Sequence, residues 1–193
     1  MKGKLFLITG YSGAGKSTLV SGVCARLSRA DQFTTVTTRP PRQGEALSPE
    51  YHHVDKPTYE IMRVRSEVWD HGEMDGHYFG QDIDWGRKFL ASGKNLLRVV
   101  GPDTRVINRV ASHFPHDAVL IWVDTSLEVA NSRLRDSLDE TRRKRSTNDA
   151  LQNSTNGKKI KAMADYVFEP VNVIDEDINR FERLITSIIE KER

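Results

Sequence analysis

Residues Gly10-Tyr11-Ser12-Gly13-Ala14-Gly15-Lys16-Ser17 place glycines, a lysine and a hydroxyl in the spacing G-x-x-x-x-G-K-[ST]. A turn of this kind does one sort of chemistry. Its backbone N–H groups and the positive end of a following helix cradle a polyphosphate. Lys16 then reaches the outer phosphates as a point charge, and the Ser17 hydroxyl becomes a ligand for Mg2+. The loop works only between a buried strand and a helix. The apolar run Leu5-Phe6-Leu7-Ile8 comes before it, and Thr18-Leu19-Val20 continues into a helical pattern. Ser12, Gly13, Ala14, Gly15, Lys16, Ser17 and Thr18 are therefore the expected triphosphate-binding residues, with Ser17 as the metal ligand.

The elements that must position this loop alternate along the chain. Strands are expected at Leu5–Ile8, Phe33–Thr37, Leu96–Val100 and Ala118–Val123, and helices at Ser17–Leu27, Asp84–Ala91 and from Ser126 to Leu134. Gly93 follows the second of these helices, and Pro102 fits the first turn of the helix after Val100. A last strand falls near Tyr166–Phe168 or Val171–Ile174, before an amphipathic helix around Ile178–Ile189. Buried strands alternating with helices predict a parallel sheet covered on both faces. Two segments break the pattern. Pro40, Pro41, Pro49 and Pro57, four of the seven prolines, crowd the first. It also contains a short helix at Thr58–Glu67, a short strand at Val68–Trp69 and the turn Asp75-Gly76. The second, from Asp136 to Lys159, is polar and basic. Insertions over the phosphate edge of such a sheet are where a second substrate and a closing lid are built.

The whole chain narrows the choice of function. At 193 residues, with 37% hydrophobic and 29% charged residues, it reads as one globular domain. A net charge of +2 argues against nucleic acid or membrane as a general partner. The single cysteine, Cys24, excludes an internal disulfide and reads as a small core residue. No long apolar run or leader pattern appears, so a cytoplasmic location is expected. His71-Gly72-Glu73 lacks the P-C-x-x-C partner of a zinc deaminase. His52 and His53, adjacent on an extended stretch, point to opposite faces and do not form a metal pair. Asp124 is expected at the start of a helix, and Trp69, Trp85 and Trp122 in the core.

Thr37-Thr38-Arg39-Pro40-Pro41-Arg42-Gln43-Gly44-Glu45 resembles the acceptor segment T-T-R-x-P-R-x-G-E of guanylate kinases. Further matches follow in order. Tyr51-His52-His53-Val54 is similar to Y-x-F-V, Gly76-His77-Tyr78-Phe79-Gly80 to G-N-x-Y-G, and Ser126-Leu127-Glu128 with Arg133-Leu134 to the start of the lid helix. With the phosphate loop, the resemblance spans nearly the whole chain. It implies a P-loop NTPase-type α/β fold: a core of residues 1–34, 82–135 and 160–193, an acceptor-binding insertion at 35–81 and a lid at 136–159. It also implies that Arg39, Arg42, Tyr51 and Phe79 contact an acceptor phosphate. Asp70, with Thr35 and Gln81, would read the base.

The chemistry of the residues agrees. A monophosphate acceptor is dianionic and must lie close to another dense anion. Arg39 and Arg42, on a proline-stiffened segment, offer planar donors of fixed geometry for it. A carboxylate at Asp70 accepts from guanine N1–H and the exocyclic amine, and Glu73 offers a competing carboxylate. Phe79 stands where the family has tyrosine, with Tyr78 one residue away. Leu97-Arg98-Val99-Val100-Gly101-Pro102-Asp103 stands in place of an Asp-x-Asp-x-x-Gly stretch, with Asp103 the only nearby acid. Ser137 replaces the second lid arginine, for which Arg135 could serve by a small shift, and Arg142-Arg143-Lys144-Arg145 is the basic cluster beyond it. Lys16, Arg39, Arg133 and Arg143 are the expected catalytic cations.

Three functions follow from this. One is ATP- and Mg2+-dependent phosphorylation of GMP or dGMP by a monomer or homodimer. Another is phosphorylation of a different phosphorylated small molecule, such as ribose 1,5-bisphosphate. The last is a guanylate-kinase-like binding module without catalysis, from which the complete Gly15-Lys16-Ser17 departs.

Overall fold

A computed structural model describes residues 2–42, 45, 49–68, 72–136 and 156–191. Its larger sheet is built from β1 (Leu5–Thr9), β2 (Ala30–Gln32), β7 (Asn95–Val99), β8 (Ala118–Val123) and β9 (Tyr166–Phe168), in the order β2-β7-β1-β8-β9. Every pairing in it is parallel. Because side chains alternate across a strand, β1 feeds both faces. Phe6 and Ile8 join one core with helices α1 (Lys16–Arg26) and α7 (Ile174–Lys191). Leu5 and Leu7 join the other, with α3 (Ile83–Ala91) and α4 (Thr104–His113). Phe181 on α7 is fully enclosed, and burying a side chain of that size contributes about 1.5–3 kcal/mol. This doubly covered sheet matches the expected fold class.

A second sheet, in the order β4-β3-β6-β5, is made of β3 (Thr35–Thr37), β4 (Tyr51–His53), β5 (Gly72–Met74) and β6 (His77–Gly80). Its β5–β6 hairpin turns at Asp75 and Gly76, both with positive φ (53° and 74°), as the Asp-Gly pair favours. Helix α2 (Lys56–Val64) begins at Asp55, whose side chain accepts from the Thr58 N–H. It covers one face of this sheet through a small core of Val36, Tyr59 and Val68.

Several expectations change. The β-branched run Phe33–Thr37 is not one strand: Gln32 pairs with Leu97 in the large sheet, while Thr35 pairs with Tyr51 in the small one. Val68 is buried but not in a strand. Asp103 caps α4 by accepting from the Arg105 N–H, so Pro102 lies just before the helix. The closing strand is Tyr166–Phe168, and α7 starts at Ile174. Trp122 is core, but Trp85 is 40% exposed, and Trp69 lies outside the described residues. Helix α5 (Leu127–Arg135) is capped by Ser126 as expected, and a further helix, α6, covers residues 156–163. Cys24 packs against the core, where burial pushes its thiol up to about 12.

Candidate active site

The turn after β1 is held in a shape only glycine accepts readily. Gly13 and Gly15 sit at φ 83° and 88°, and Gly15 is the N-cap of α1. A Cβ on Gly13 would lie 2.3 Å from the Ala130 carbonyl oxygen of α5, so the loop is seated directly on that helix. The Thr125 hydroxyl adds a buried bond to the Ala14 carbonyl at 3.2 Å. Lys16 Nζ donates to the Gly10 and Tyr11 carbonyls at 2.9 and 2.8 Å. Enclosure pulls the Lys16 pKa down to about 8, against the raising influence of Glu50 on the small sheet's side. The ammonium is thus held under the loop, in the field of the segment that leads into β4.

Arg133 on α5 lies over the same loop. Its Nη1 donates to the Gly13 carbonyl at 3.4 Å and its Nη2 to Asn172 Oδ1 at 3.0 Å. Asn172 is held in turn by buried Asp177, which accepts from the Val171 and Asn172 N–H groups at 2.7 and 3.0 Å. Nothing in the sequence pointed to Asn172, Asp177 or Thr125. The nearest signal was an acidic residue in the first turns of the last helix. Asp124 does not cap a helix: it accepts from Trp122 Nε1 at 2.9 Å and pairs with Lys161 of α6 at 2.6 Å. Burial pushes its carboxyl up, but the Lys161 and Trp122 hydrogen bonds outweigh this and leave it below the ordinary value.

On the small sheet, register sorts the side chains. Thr35 pairs with Tyr51, and Thr37 with both His53 and Phe79, so these five share one face. Tyr78 falls on the other face, against Tyr59 at 5.5 Å, and so supplies no hydroxyl in place of the missing tyrosine at Phe79. Glu73 pairs with Tyr78 and goes with it, which removes it as a rival reader of the base. Thr35 Oγ1 accepts from Gln81 Nε2 at 2.7 Å. Gln81 is fully buried, and its Oε1 has no hydrogen-bond partner.

Above that face, Arg39 Nη2 donates to Glu45 Oε2 at 2.8 Å and its guanidinium lies 5.1 Å from the Tyr51 ring centre. The same Glu45 oxygen accepts from the Arg42 N–H at 2.9 Å. Burial pushes the Glu45 carboxyl up, but the Arg42 N–H and the Arg39 guanidinium together hold it below its usual value. Tyr51 is pushed up to about 12, first by burial and then by the Glu50 charge. Thr37 Oγ1 accepts from the Arg39 N–H at 3.1 Å, anchoring the start of the arginine segment. The structure thus brings Thr35, Arg39, Tyr51, Phe79 and Gln81 into one neighbourhood, with Arg42 tied in through its N–H. Asp70 and Arg143 lie outside the described residues.

A family profile described as guanylate kinase matches residues 2–191. The chain belongs to the guanylate kinase family. Among similar proteins, a guanylate kinase of Aromatoleum aromaticum is 38% identical over 136 residues, 70% of this chain and 65% of its own length. Another from Dechloromonas aromatica is 33% identical over 134 residues, again 65% of its own length. The chain thus spans slightly less than two thirds of the relatives it matches at these identities. A guanylate kinase of Neisseria meningitidis serogroup A is 26% identical over 188 residues, 97% of this chain and 87% of its own length. The crystal structure of guanylate kinase from Anaplasma phagocytophilum superimposes with a TM-score of 0.68 at 19% identity, covering 96% of this chain and 86% of that one. That likeness shows the fold.

Within the guanylate kinase pattern, this chain carries buried Arg98 on β7, in register with Leu7, where the resemblance places an aspartate. Asp103, the acid that follows this stretch in the sequence, is spent on capping α4 and pairing with Arg105 at 2.8 Å. Among the described residues no helix is long and apolar enough to cross a membrane.

Proposed function

We propose that this protein transfers the γ-phosphoryl group of ATP to a nucleoside monophosphate, with GMP or dGMP as acceptor. The observation that carries the reading is the pairing of two anion sites. Lys16 lies under a glycine loop, Arg39 lies just beyond β3 with its guanidinium over the Tyr51 ring on β4, and Glu50, beside Tyr51, is near enough to act on Lys16. A site for one phosphate group does not explain the second cluster.

An oxygen of the acceptor phosphate attacks the γ-phosphorus in line. One P–O bond forms as the bond to the β-phosphate oxygen breaks, giving ADP and the nucleoside diphosphate. The attacking phosphate is already ionised, so no general base is required. Catalysis is positioning and charge neutralisation. Lys16 leaves the loop carbonyls for the triphosphate, Arg133 approaches it from α5, and Arg39 with Arg42 and Tyr51 holds the acceptor phosphate. Arg143, from the basic cluster Arg142-Arg143-Lys144-Arg145 of the lid segment, joins these cations. Thr35 and Gln81, with Asp70, read the base; Gln81 Oε1 is a buried acceptor without a hydrogen-bond partner.

Ser17 follows Lys16 in the first turn of α1 and is exposed. Its hydroxyl is a hard oxygen donor. Among the described residues no cluster of three acids, histidines or cysteines offers a metal cage. That donor set fits Mg2+, which takes few protein ligands and completes its shell with phosphate oxygens and water. When bound, Mg2+ neutralises part of the phosphate charge.

Coupled ADP-release assays with Mg-ATP test the proposal across GMP, dGMP, AMP, CMP, UMP and ribose 1,5-bisphosphate. Guanine monophosphates are expected to turn over fastest. Turnover with the sugar phosphate and none with GMP would overturn the acceptor assignment, and no turnover with any acceptor would overturn the enzyme assignment.

A further inference from the structure

Beyond the residues expected from the motifs, we propose that His53 is a positioning residue of the acceptor site, fixing Arg39 before the phosphate arrives. The inference rests on the reading that Arg39 and Arg42 hold that phosphate. Its register opposite Thr37 puts the ring on the face shared by Thr35, Tyr51 and Phe79. Its Nδ1 lies 2.7 Å from the Arg39 carbonyl oxygen. A carbonyl only accepts, so Nδ1 carries the hydrogen and donates, which fixes the tautomer. The other nitrogen, Nε2, is buried without a hydrogen-bond partner, 3.9 Å from Glu45 Oε2 and too far to bond.

Arg39 is therefore fastened at both ends. His53 holds its main chain from one side, and Glu45 holds its guanidinium from the other, at 2.8 Å. A free arginine side chain carries about 2 kcal/mol of rotamer entropy. Glu45 orders that side chain in advance, and His53 fixes the main chain from which it departs, so part of the cost is removed from ligand binding without a new contact to the acceptor. In the resembling motif Y-x-F-V the position of His53 belongs to phenylalanine, which fills the same space and donates nothing. The hydrogen bond, rather than the ring, is what this chain adds.

The test uses the full chain with His53→Phe, His53→Asn, His53→Gln and, as benchmark, Arg39→Ala. KM is measured for GMP at saturating Mg-ATP and for ATP at saturating GMP, and each variant is melted thermally. Loss of one such hydrogen bond predicts about a three- to tenfold rise in KM for GMP in His53→Phe. KM for ATP should not move, and kcat should change less than KM for GMP. Asparagine places an N–H near the lost Nδ1–H and should recover most of the loss, whereas glutamine, which mimics Nε2, should not. The inference is overturned if phenylalanine leaves KM for GMP unchanged, if glutamine rescues as well as asparagine, or if both KM values and the melting temperature shift together. An Arg39→Ala variant with unaltered KM for GMP overturns the acceptor reading itself. If Arg39→Ala raises that KM and His53→Phe does not, only the role of His53 fails.

Discussion

Lys16 makes nucleotide affinity depend on pH in a direction that can be calculated. Its ammonium is enclosed under the loop and its pKa is drawn down to about 8. In the unfolded chain a lysine titrates near 10.4, so its charged form costs the free fold stability at neutral pH. That cost is relieved as pH rises through 8 towards about 10.4, because the unfolded state binds more protons across that window. A bound triphosphate reverses the balance by favouring the charged ammonium. At pH 7 about nine in ten free molecules carry the proton, and at pH 9 about one in ten. ATP affinity should therefore be nearly flat below pH 7 and fall roughly tenfold between pH 7 and pH 9. Calorimetric titration with Mg-ATP at constant ionic strength reads this directly. Repeating it at pH 8 in buffers of different ionisation enthalpy should show uptake of about half a proton per ATP bound. The Cys24 thiol and Tyr51 hydroxyl, each pushed up to about 12, do not interfere in this range. An affinity unchanged from pH 7 to 9.5, without proton uptake, would refute the reasoning.

Other substitutions test the remaining joints of the site. Gly13→Ala forces a left-handed backbone on alanine and drives its Cβ to 2.3 Å from a helix carbonyl that cannot yield, so ATP binding should be lost and stability fall by about 2 kcal/mol or more, read by calorimetry and urea melts. Gln81→Leu removes a buried acceptor that has no partner but also the Gln81 Nε2 bond to Thr35; the two nearly offset, so the melting temperature should change little while KM for GMP increases about tenfold or more. Asp177→Ala frees the turn that carries Asn172, so Arg133 loses its anchor and kcat should drop at least as steeply as stability, measured by turnover against thermal melting.

The phosphate loop was legible because its chemistry is local. The glycines, the lysine and the flanking apolar strand are contiguous, and Ser126 announced its helix by the same short-range logic. Elsewhere the sequence supplied the right residues without their grouping. The run Phe33–Thr37 reads as one strand, yet the chain leaves the large sheet at Gln32 and joins the small one at Thr35; only pairing partners mark the break. Tyr78 and Phe79 are equivalent as letters, and register alone decides which faces the acceptor side. The roles of Glu45 and His53 beside Arg39 were hidden for the same reason. Their meaning lies in distances to Arg39 that depend on where β4 aligns with β3. Trp85 shows the limit of composition: its ring packs 5.0 Å from Phe89, but its position on α3 leaves part of it in water.

The outer strands of the large sheet, Ala30–Gln32 and Tyr166–Phe168, are each three residues long. Such stubs offer a stray extended peptide only about two ladder bonds apiece, too few to seed fibril growth. Longer rims on a sheet this apolar would invite edge-to-edge pairing during synthesis; short ones leave the fully buried parallel centre with little edge to template it.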